Sequence, residues 1–351
     1  MQKINLNGVS VIKHIASTKY SNVYIVKSHS NCINVLKQVN KQLIINGGNI
    51  KVEMLKRERS FYEANTNGLY PSFIESYKDD DYIYMEITFI EGIDMSKLIL
   101  NDKLLVFNNK HSCFALYLCL VSQIIELILT LHKEKYAYRD LKLNNLIIGK
   151  DLTCYLVDFG FVKRMEQNDK GKTFTVCGTP HMKAPELYRN DIGKGYDPFK
   201  ADVYSVGVLM FEMFKGKAPF PYVVDNEVDY AKMVMKGVNE KDHFGKDFYG
   251  DIEDEAVLKD VDNVKDIVLW CMNVDSEKRP SLEKVKEHAL FKGRFEYYKS
   301  DCMRKSLYCF RKEDFHLREV YDYIEYHGEY RSELMKRESK DKEEDIFESY
   351  F

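Results

Sequence analysis

Within six residues, the run Tyr138-Arg139-Asp140-Leu141-Lys142-Leu143-Asn144-Asn145 brings together a carboxylate, an ammonium and a side-chain amide. Thirteen residues after Asn145 comes a second carboxylate, in Asp158-Phe159-Gly160. A positioned carboxylate can take a proton from a hydroxyl. An amide oxygen and another carboxylate are the hard donors that a small divalent cation prefers. A single Asp or Asn more often closes a turn or caps a helix. Several at this spacing, followed by Gly178-Thr179-Pro180 and Ala184-Pro185-Glu186, argue for a shared chemical task.

Elements of two kinds must position these groups. Residues 9 to 39 alternate apolar and polar positions in short runs such as Val23-Tyr24-Ile25-Val26 and Ile33-Asn34-Val35-Leu36, the pattern of antiparallel strands. From 51 to 65, charged residues interleave with Val52, Leu55, Phe61 and Tyr62, which predicts a helix with one packed face. Another strand is expected over 82 to 87, and Gly92 marks a turn. Beyond it the periodicity is helical over 111 to 133, 200 to 214, 227 to 237 and 261 to 273. Residues 239 to 262, acidic with two glycines, read as a solvated loop. The fold class is α+β: a small antiparallel β lobe with one main helix, then a larger, mainly helical lobe.

The 351 residues suffice for two packed lobes. A net charge of -3 from 52 basic and 55 acidic residues gives no global field to attract nucleic acid or an anionic membrane. Eight cysteines without a C-x-x-C pair, and nothing before Cys32 resembling a signal peptide, suggest reduced thiols in a cytoplasmic protein. Residues 114 to 131 are apolar enough to be scored as a membrane span, but Gln123 and Glu126 lie in the middle, so a buried core helix is expected.

The ordered set Tyr138-Arg139-Asp140, Leu156-Val157-Asp158-Phe159-Gly160-Phe161, Cys177-Gly178-Thr179-Pro180 and Ala184-Pro185-Glu186 resembles the eukaryotic protein kinases over residues 9 to 291. The resemblance is strongest to the AGC group, in particular the catalytic domain of cyclic-GMP-dependent protein kinase. It implies a bilobal domain over 1–291, with a small lobe 1–86, a hinge 87–91 and a large lobe 92–291, then a helical, AGC-like tail over 292–351. It also implies transfer of the γ-phosphoryl group of ATP, with Mg²⁺, to a serine or threonine hydroxyl. Two alternatives stay open: a pseudokinase scaffold without efficient turnover, and, more distantly, a small-molecule kinase.

By that resemblance Asp140 takes the substrate proton and Lys142 reaches the γ-phosphate, while Asn145 and Asp158 hold Mg²⁺. Lys37 meets the α- and β-phosphates and pairs with Glu58. Glu58 is preferred to Glu53 because Tyr62, one turn on, then takes the position that packs toward Phe159 in the family. The phosphate-covering turn spans residues 16 to 23, where Ala16, Thr18 and Ser21 occupy the three positions that relatives give to glycine. Adenine is expected between Val23 and Val35 on one side and Ile147 on the other, with Ile87 at the rear and backbone contacts from Thr88 to Ile90. Asp94 corresponds to the ribose contact.

Asp94, Thr179 and Glu212 are implied substrate contacts, the two acidic ones favouring basic residues upstream of the target hydroxyl. That preference is weakened because Asn144 stands where relatives have a glutamate; Lys183, in place of an apolar residue, implies a polar or acidic residue after the target hydroxyl. Thr175 is the implied activation site, with Arg139 and Lys163 to receive its phosphate, so an upstream kinase is an expected partner and a separate regulatory subunit a further one. Too few residues flank the domain for a cyclic-nucleotide-binding module, so control by cyclic GMP within this chain is not expected. Glu186 with Arg279, and Asp202 with the catalytic-loop backbone, are implied structural contacts. The end of the chain, Phe347 with Tyr350 or Phe351, is expected to dock beside the 51–65 helix.

Overall fold

Strands β1 (Ser10–Ser17), β2 (Ser21–Lys27), β3 (Ile33–Asn40), β4 (Phe73–Lys78) and β5 (Tyr82–Thr88) form an antiparallel sheet in the order β1-β2-β3-β5-β4. The computed structural model describes residues 8–65, 68–101, 111–166, 170–188, 192–221, 227–238, 243–245, 255–310, 315–331 and 333–334. These fall into two compact units, residues 1–92 with 327–351, and 93–326.

In the first unit the strand period of two sorts side chains between the sheet faces. Val26, Leu36 and Tyr84 pack together with Val9 on one face. In register, Val23 lies opposite Lys37, Ile25 opposite Val35, and Val35 opposite Ile87, so these residues share the other face. After the short helix α1 (Lys41–Asn46) comes α2 (Asn49–Ala64), which buries Glu58, Phe61 and Tyr62. Their i, i+3, i+4 spacing aims them to one side of the helix.

The second unit carries the short strands β6 (Ile93–Asp94), β7 (Tyr136–Ala137), β8 (Leu146–Ile148), β9 (Cys154–Leu156) and β10 (Lys163–Arg164). They pair as β6-β8-β9 and β10-β7. Its framework helices are α3 (His111–Lys133), α4 (Pro198–Lys215), α5 (Glu227–Lys236) and α6 (Glu255–Cys271). The start of α4 follows from its sequence: Asp197 accepts from the amides of Phe199 and Lys200, and Pro198 occupies the first turn, where no amide donor is needed. Gly216, at φ 66°, closes the helix in the left-handed conformation.

α6 begins at Glu255, inside the stretch expected to be a loop. Val261, Val264, Ile267, Val268 and Cys271 are all buried, and the helical face they define begins among the acidic residues that gave the segment its loop-like composition. Residues 246–254 of that expected loop lie outside the described residues. The stretch Phe114–Lys133 is the one helix among the described residues long and apolar enough to cross a membrane. Within this fold 83% of its apolar window is buried, and Glu126 lies 3.5 Å from Lys286 and 3.2 Å from Lys299, as in a core helix.

After α7 (Leu282–Lys286), the helices α8 (Phe295–Tyr298), α9 (Asp301–Phe310) and α10 (Phe315–His327) follow. Phe295, Met303, Leu307, Val320 and Ile324 along them are buried. The chain then re-enters the first unit. Gly92 and Glu329 exchange backbone hydrogen bonds of 3.2 and 2.8 Å, Lys13 pairs with Glu329, and Leu334 packs with Ile25, Ile33 and Phe89. Phe347, Tyr350 and Phe351 lie outside the described residues.

Candidate active site

Asp140 is held by donors from three directions. Its Oδ1 accepts from the Thr179 amide at 2.8 Å and the Thr179 hydroxyl at 2.7 Å. Its Oδ2 accepts from Lys142 Nζ at 2.9 Å and Asn145 Nδ2 at 3.2 Å. Lys142 also reaches the Thr179 hydroxyl at 3.0 Å. With only 3% of its surface exposed, Asp140 has little freedom to reorient, and charge-assisted hydrogen bonds of this kind fix geometry strongly.

The loop carrying Asp140 is shaped from below by α4. Asp202 accepts from the amides of Tyr138 and Arg139, both at 2.8 Å, and its Oδ2 lies 3.0 Å from His132 Nε2. This lets Arg139 adopt a φ of 69°, a conformation that costs free energy in a residue with a side chain. Gly178, at φ 91°, passes so close to the Arg139 carbonyl that an added Cβ would lie 2.5 Å from its oxygen. Glycine is therefore required where the downstream segment meets the loop.

Asn145 donates from Nδ2 to the Asp140 carbonyl as well, at 2.9 Å, so its amide nitrogen faces Asp140 and its Oδ1 is turned away as an oxygen donor. The Val157 amide bonds to the Asn145 carbonyl at 2.9 Å, tying Asp158 to the neighbouring chain of the β8–β9 ladder. Asp158 is exposed, with a φ of 61°, and its Oδ1 accepts from the Gly160 amide at 3.2 Å. Phe159 is fully buried against Tyr138, with ring centroids 5.4 Å apart, which anchors the triplet from inside. An amide oxygen and an exposed carboxylate fit Mg²⁺, which completes its shell with phosphate oxygens and water.

In the first unit, Lys37 Nζ lies 2.6 and 2.8 Å from the two carboxylate oxygens of Glu58, which is 3% exposed. Glu53 faces solvent and pairs with Lys56 at 3.0 Å. Val23 and Val35 are half-buried on the same sheet face as Lys37, and Ile87 is buried beside Val35. Thr88 pairs with Asn34, and Ile90 follows it, half-buried.

The turn between β1 and β2 has a feature that its sequence did not reveal. The Thr18 hydroxyl oxygen accepts from the amides of Tyr20 and Ser21 at 3.2 and 3.0 Å, and the Thr18 amide donates to the Ser21 carbonyl at 2.7 Å. Ala16 pairs with Val23 and is exposed. Two amides that a glycine-rich turn would leave for an anion are thus satisfied by a side chain of the turn itself.

Elsewhere in the second unit, Ile147 pairs with Asp94, whose Oδ1 accepts from the Ser96 amide at 2.7 Å. Burial raises the Asp94 carboxyl above the usual range. Asn144 donates to the Ser96 hydroxyl at 2.7 Å. Arg139, buried, donates to Cys177 Sγ at 2.7 Å and to the Thr173 hydroxyl at 3.4 Å, while its Nε has no hydrogen-bond partner. Thr175 is half-buried, and its carbonyl accepts from the Tyr196 hydroxyl at 2.9 Å. Lys163 lies in β10, opposite Ala137. Glu212 is buried on α4, with His181 above it.

Glu186 and Arg279 form a two-pronged ion pair, with Nη–Oε distances of 2.7 and 2.6 Å. Four contacts were absent from the sequence reading: Thr173 with Arg139, Tyr196 with Thr175, His132 with Asp202, and His181 with Glu212. His181 alone left a usable signal, a titratable side chain between Thr179 and Lys183.

Residues 9–291 match the family model described as protein kinase domain. The chain is 34% identical over 238 residues to cGMP-dependent protein kinase isozyme 2 of Drosophila melanogaster, covering 67% of this chain and 24% of that one. It is 29% identical over 224 residues to the cAMP-dependent protein kinase catalytic subunit of Dictyostelium discoideum, covering 64% and 32%. To serine/threonine-protein kinase PLK4 of Xenopus tropicalis it is 25% identical over 287 residues, covering 81% and 27%. The matched part is therefore between about a quarter and a third of the length of these relatives. The bilobal kinase fold, the ordered catalytic motifs and the AGC-group relatives agree, and the chain belongs to the protein kinase family.

Proposed function

We propose that the chain is a serine/threonine kinase that transfers the γ-phosphoryl group of Mg·ATP to a protein hydroxyl in the cytoplasm. The observation that carries this reading is the grip of Thr179, Lys142 and Asn145 on Asp140. It leaves a carboxylate oriented beside the segment that would receive a peptide. Asp140 accepts the hydroxyl proton as the oxygen bonds to the γ-phosphorus and the bond to the β-phosphate breaks. Lys142 supplies positive charge next to Asp140, and Lys37, fixed by Glu58, offers its ammonium to phosphate oxygens. Asn145 and Asp158 would hold Mg²⁺, which neutralises phosphate charge when bound.

Incubation with labelled ATP, Mg²⁺ and a mixture of serine, threonine and tyrosine peptides tests this directly. Phosphoserine or phosphothreonine is the expected product; phosphotyrosine alone, or label on a small-molecule acceptor only, contradicts it. The second reading, a pseudokinase, draws support from the Thr18 hydroxyl that occupies the Tyr20 and Ser21 amides. Nucleotide binding without transfer is the result it requires.

Two variants probe the nucleotide contacts. Asp158→Ala should remove the Mg²⁺-dependent part of the ATP-induced rise in melting temperature, since stabilisation by a ligand follows its affinity. An unchanged rise would overturn the metal assignment. Glycine at both Thr18 and Ser21 should free the backbone donors and tighten ATP binding by roughly tenfold, the order expected for one or two hydrogen bonds to a charged group. Calorimetric titration checks this, and weaker binding would instead make the two side chains the phosphate contacts.

A further inference from the structure

Glu212 lies on α4 one turn before its C-terminus, 3% exposed, and its Oε1 is 3.7 Å from His181 Nε2. That separation is beyond hydrogen-bond length, so the imidazole lies against the carboxylate without a bond between them, and the contact is ionic only with a protonated imidazole. The imidazole is held over the carboxylate by its backbone. The Tyr188 hydroxyl donates to the Pro180 carbonyl at 2.5 Å, and the Ser205 hydroxyl donates to the Met182 carbonyl at 2.9 Å, so the residues on both sides of His181 are pinned. About a third of the His181 side chain is exposed, against 3% of Glu212.

The surrounding charge is unusual for a surface meant to hold cations. Lys142 and Asp140, from the catalytic loop, act on His181 from one side, and Glu212 faces it from α4. Lys183 follows two residues along, half-buried. Asn144, neutral, is occupied with Ser96.

We propose that His181 caps Glu212 and makes it a conditional subsite: a basic substrate side chain reaches the carboxylate only by displacing the imidazole, so the peptide platform gives arginine less advantage there than an uncovered carboxylate would. This rests on the reading of the 178–183 segment as a peptide platform and names which peptides it selects.

The protonation states give the rule a direction. Burial raises the Glu212 carboxyl to about 7, and burial lowers His181 below its ordinary value, with Lys142 adding to the effect and Asp140 opposing it. Below pH 7 Glu212 is mostly protonated and offers no anion to arginine. As pH rises through 7 the carboxylate ionises while His181 is neutral, and arginine then gains a partner. Arginine tolerance therefore increases with pH.

Anisotropy of fluorescein-labelled peptides on the full chain tests this without turnover. The peptides carry alanine at the acceptor position and either arginine or its neutral isostere citrulline at each upstream position in turn. Taking the arginine-to-citrulline affinity ratio cancels titrations common to both peptides. In the wild type the ratio should be near unity at pH 6 and rise several-fold by pH 8 at one upstream position. His181→Ala, which uncovers Glu212 without adding a charge, should raise it by about tenfold at pH 8, the order of a charge-assisted hydrogen bond. His181→Gln should raise it less, and Glu212→Gln should flatten it across the range.

A ratio in the wild type that is already high at pH 6, one that His181→Ala leaves unchanged, or no peptide binding to any of the proteins would overturn the proposal. Phosphate transfer to the matching serine peptides is measured separately. Its absence, with the binding pattern intact, contradicts the kinase reading and leaves His181 as the specificity residue of a peptide-binding platform.

Discussion

Asp140→Asn should lower phosphoryl transfer by about 10²- to 10⁴-fold, the range ascribed to a positioned general base, while ATP affinity stays within a few-fold of wild type. The residue contacts Thr179, Lys142 and Asn145, and each contact orients it toward the segment that would present a hydroxyl. The amide keeps the shape and one acceptor oxygen but has no basicity. Because its NH₂ must face either the Thr179 donors or the Lys142 ammonium, a small loss of stability is also expected, and a melting curve separates this from the chemical effect. Rapid-quench measurement of transfer, together with calorimetry for ATP, checks the prediction. A rate within threefold of wild type would remove Asp140 from the role of base.

The largest effect on stability is expected at Arg279. Its side chain has no exposed surface, and besides Glu186 it donates to the carbonyls of Lys200, in α4, and of Asn273, just after the end of α6. Arg279→Ala leaves a carboxylate that is 12% exposed and two carbonyls without their donor. Breaking a buried pair from one side costs about 3–5 kcal/mol. For a unit of this size that corresponds to a fall of about 6–20 °C in melting temperature. Removing the stranded charge as well, in the double variant Glu186→Met with Arg279→Ala, should recover part of the loss. Calorimetric scans of the two variants decide the matter: equal falls would mean that the carbonyl contacts, and not the ion pair, hold the segment.

The period of two places β2, β3 and β5, and the helical period places α2, α3, α4 and α5 near their observed limits. The order of Asp140, Asn145 and Asp158 along the chain was enough to propose a proton acceptor and two cation ligands, because these residue types have few alternative tasks at that spacing. The acidic start of α6 has the composition of a solvated loop, which hides the apolar face that runs through it.

The sequence alone determined the two kinds of lobe, the identity of the chemical groups and the family resemblance, since each depends on residue type and on spacing within a single element. Tertiary structure decided the rest. Asp140 meets Thr179 from 39 residues away, Asp202 shapes the loop from 63 and 64, and Arg279 reaches Glu186 across 93. The last segment of chain returns to the first unit, where Leu334 packs with Ile25, Ile33 and Phe89. Even the Thr18 turn and the His181 cap, which involve neighbouring residues or a single contact distance, depend on where a side-chain oxygen or imidazole points. That direction is set when the backbone on both sides is pinned by packing, and periodicity along the chain carries no record of it.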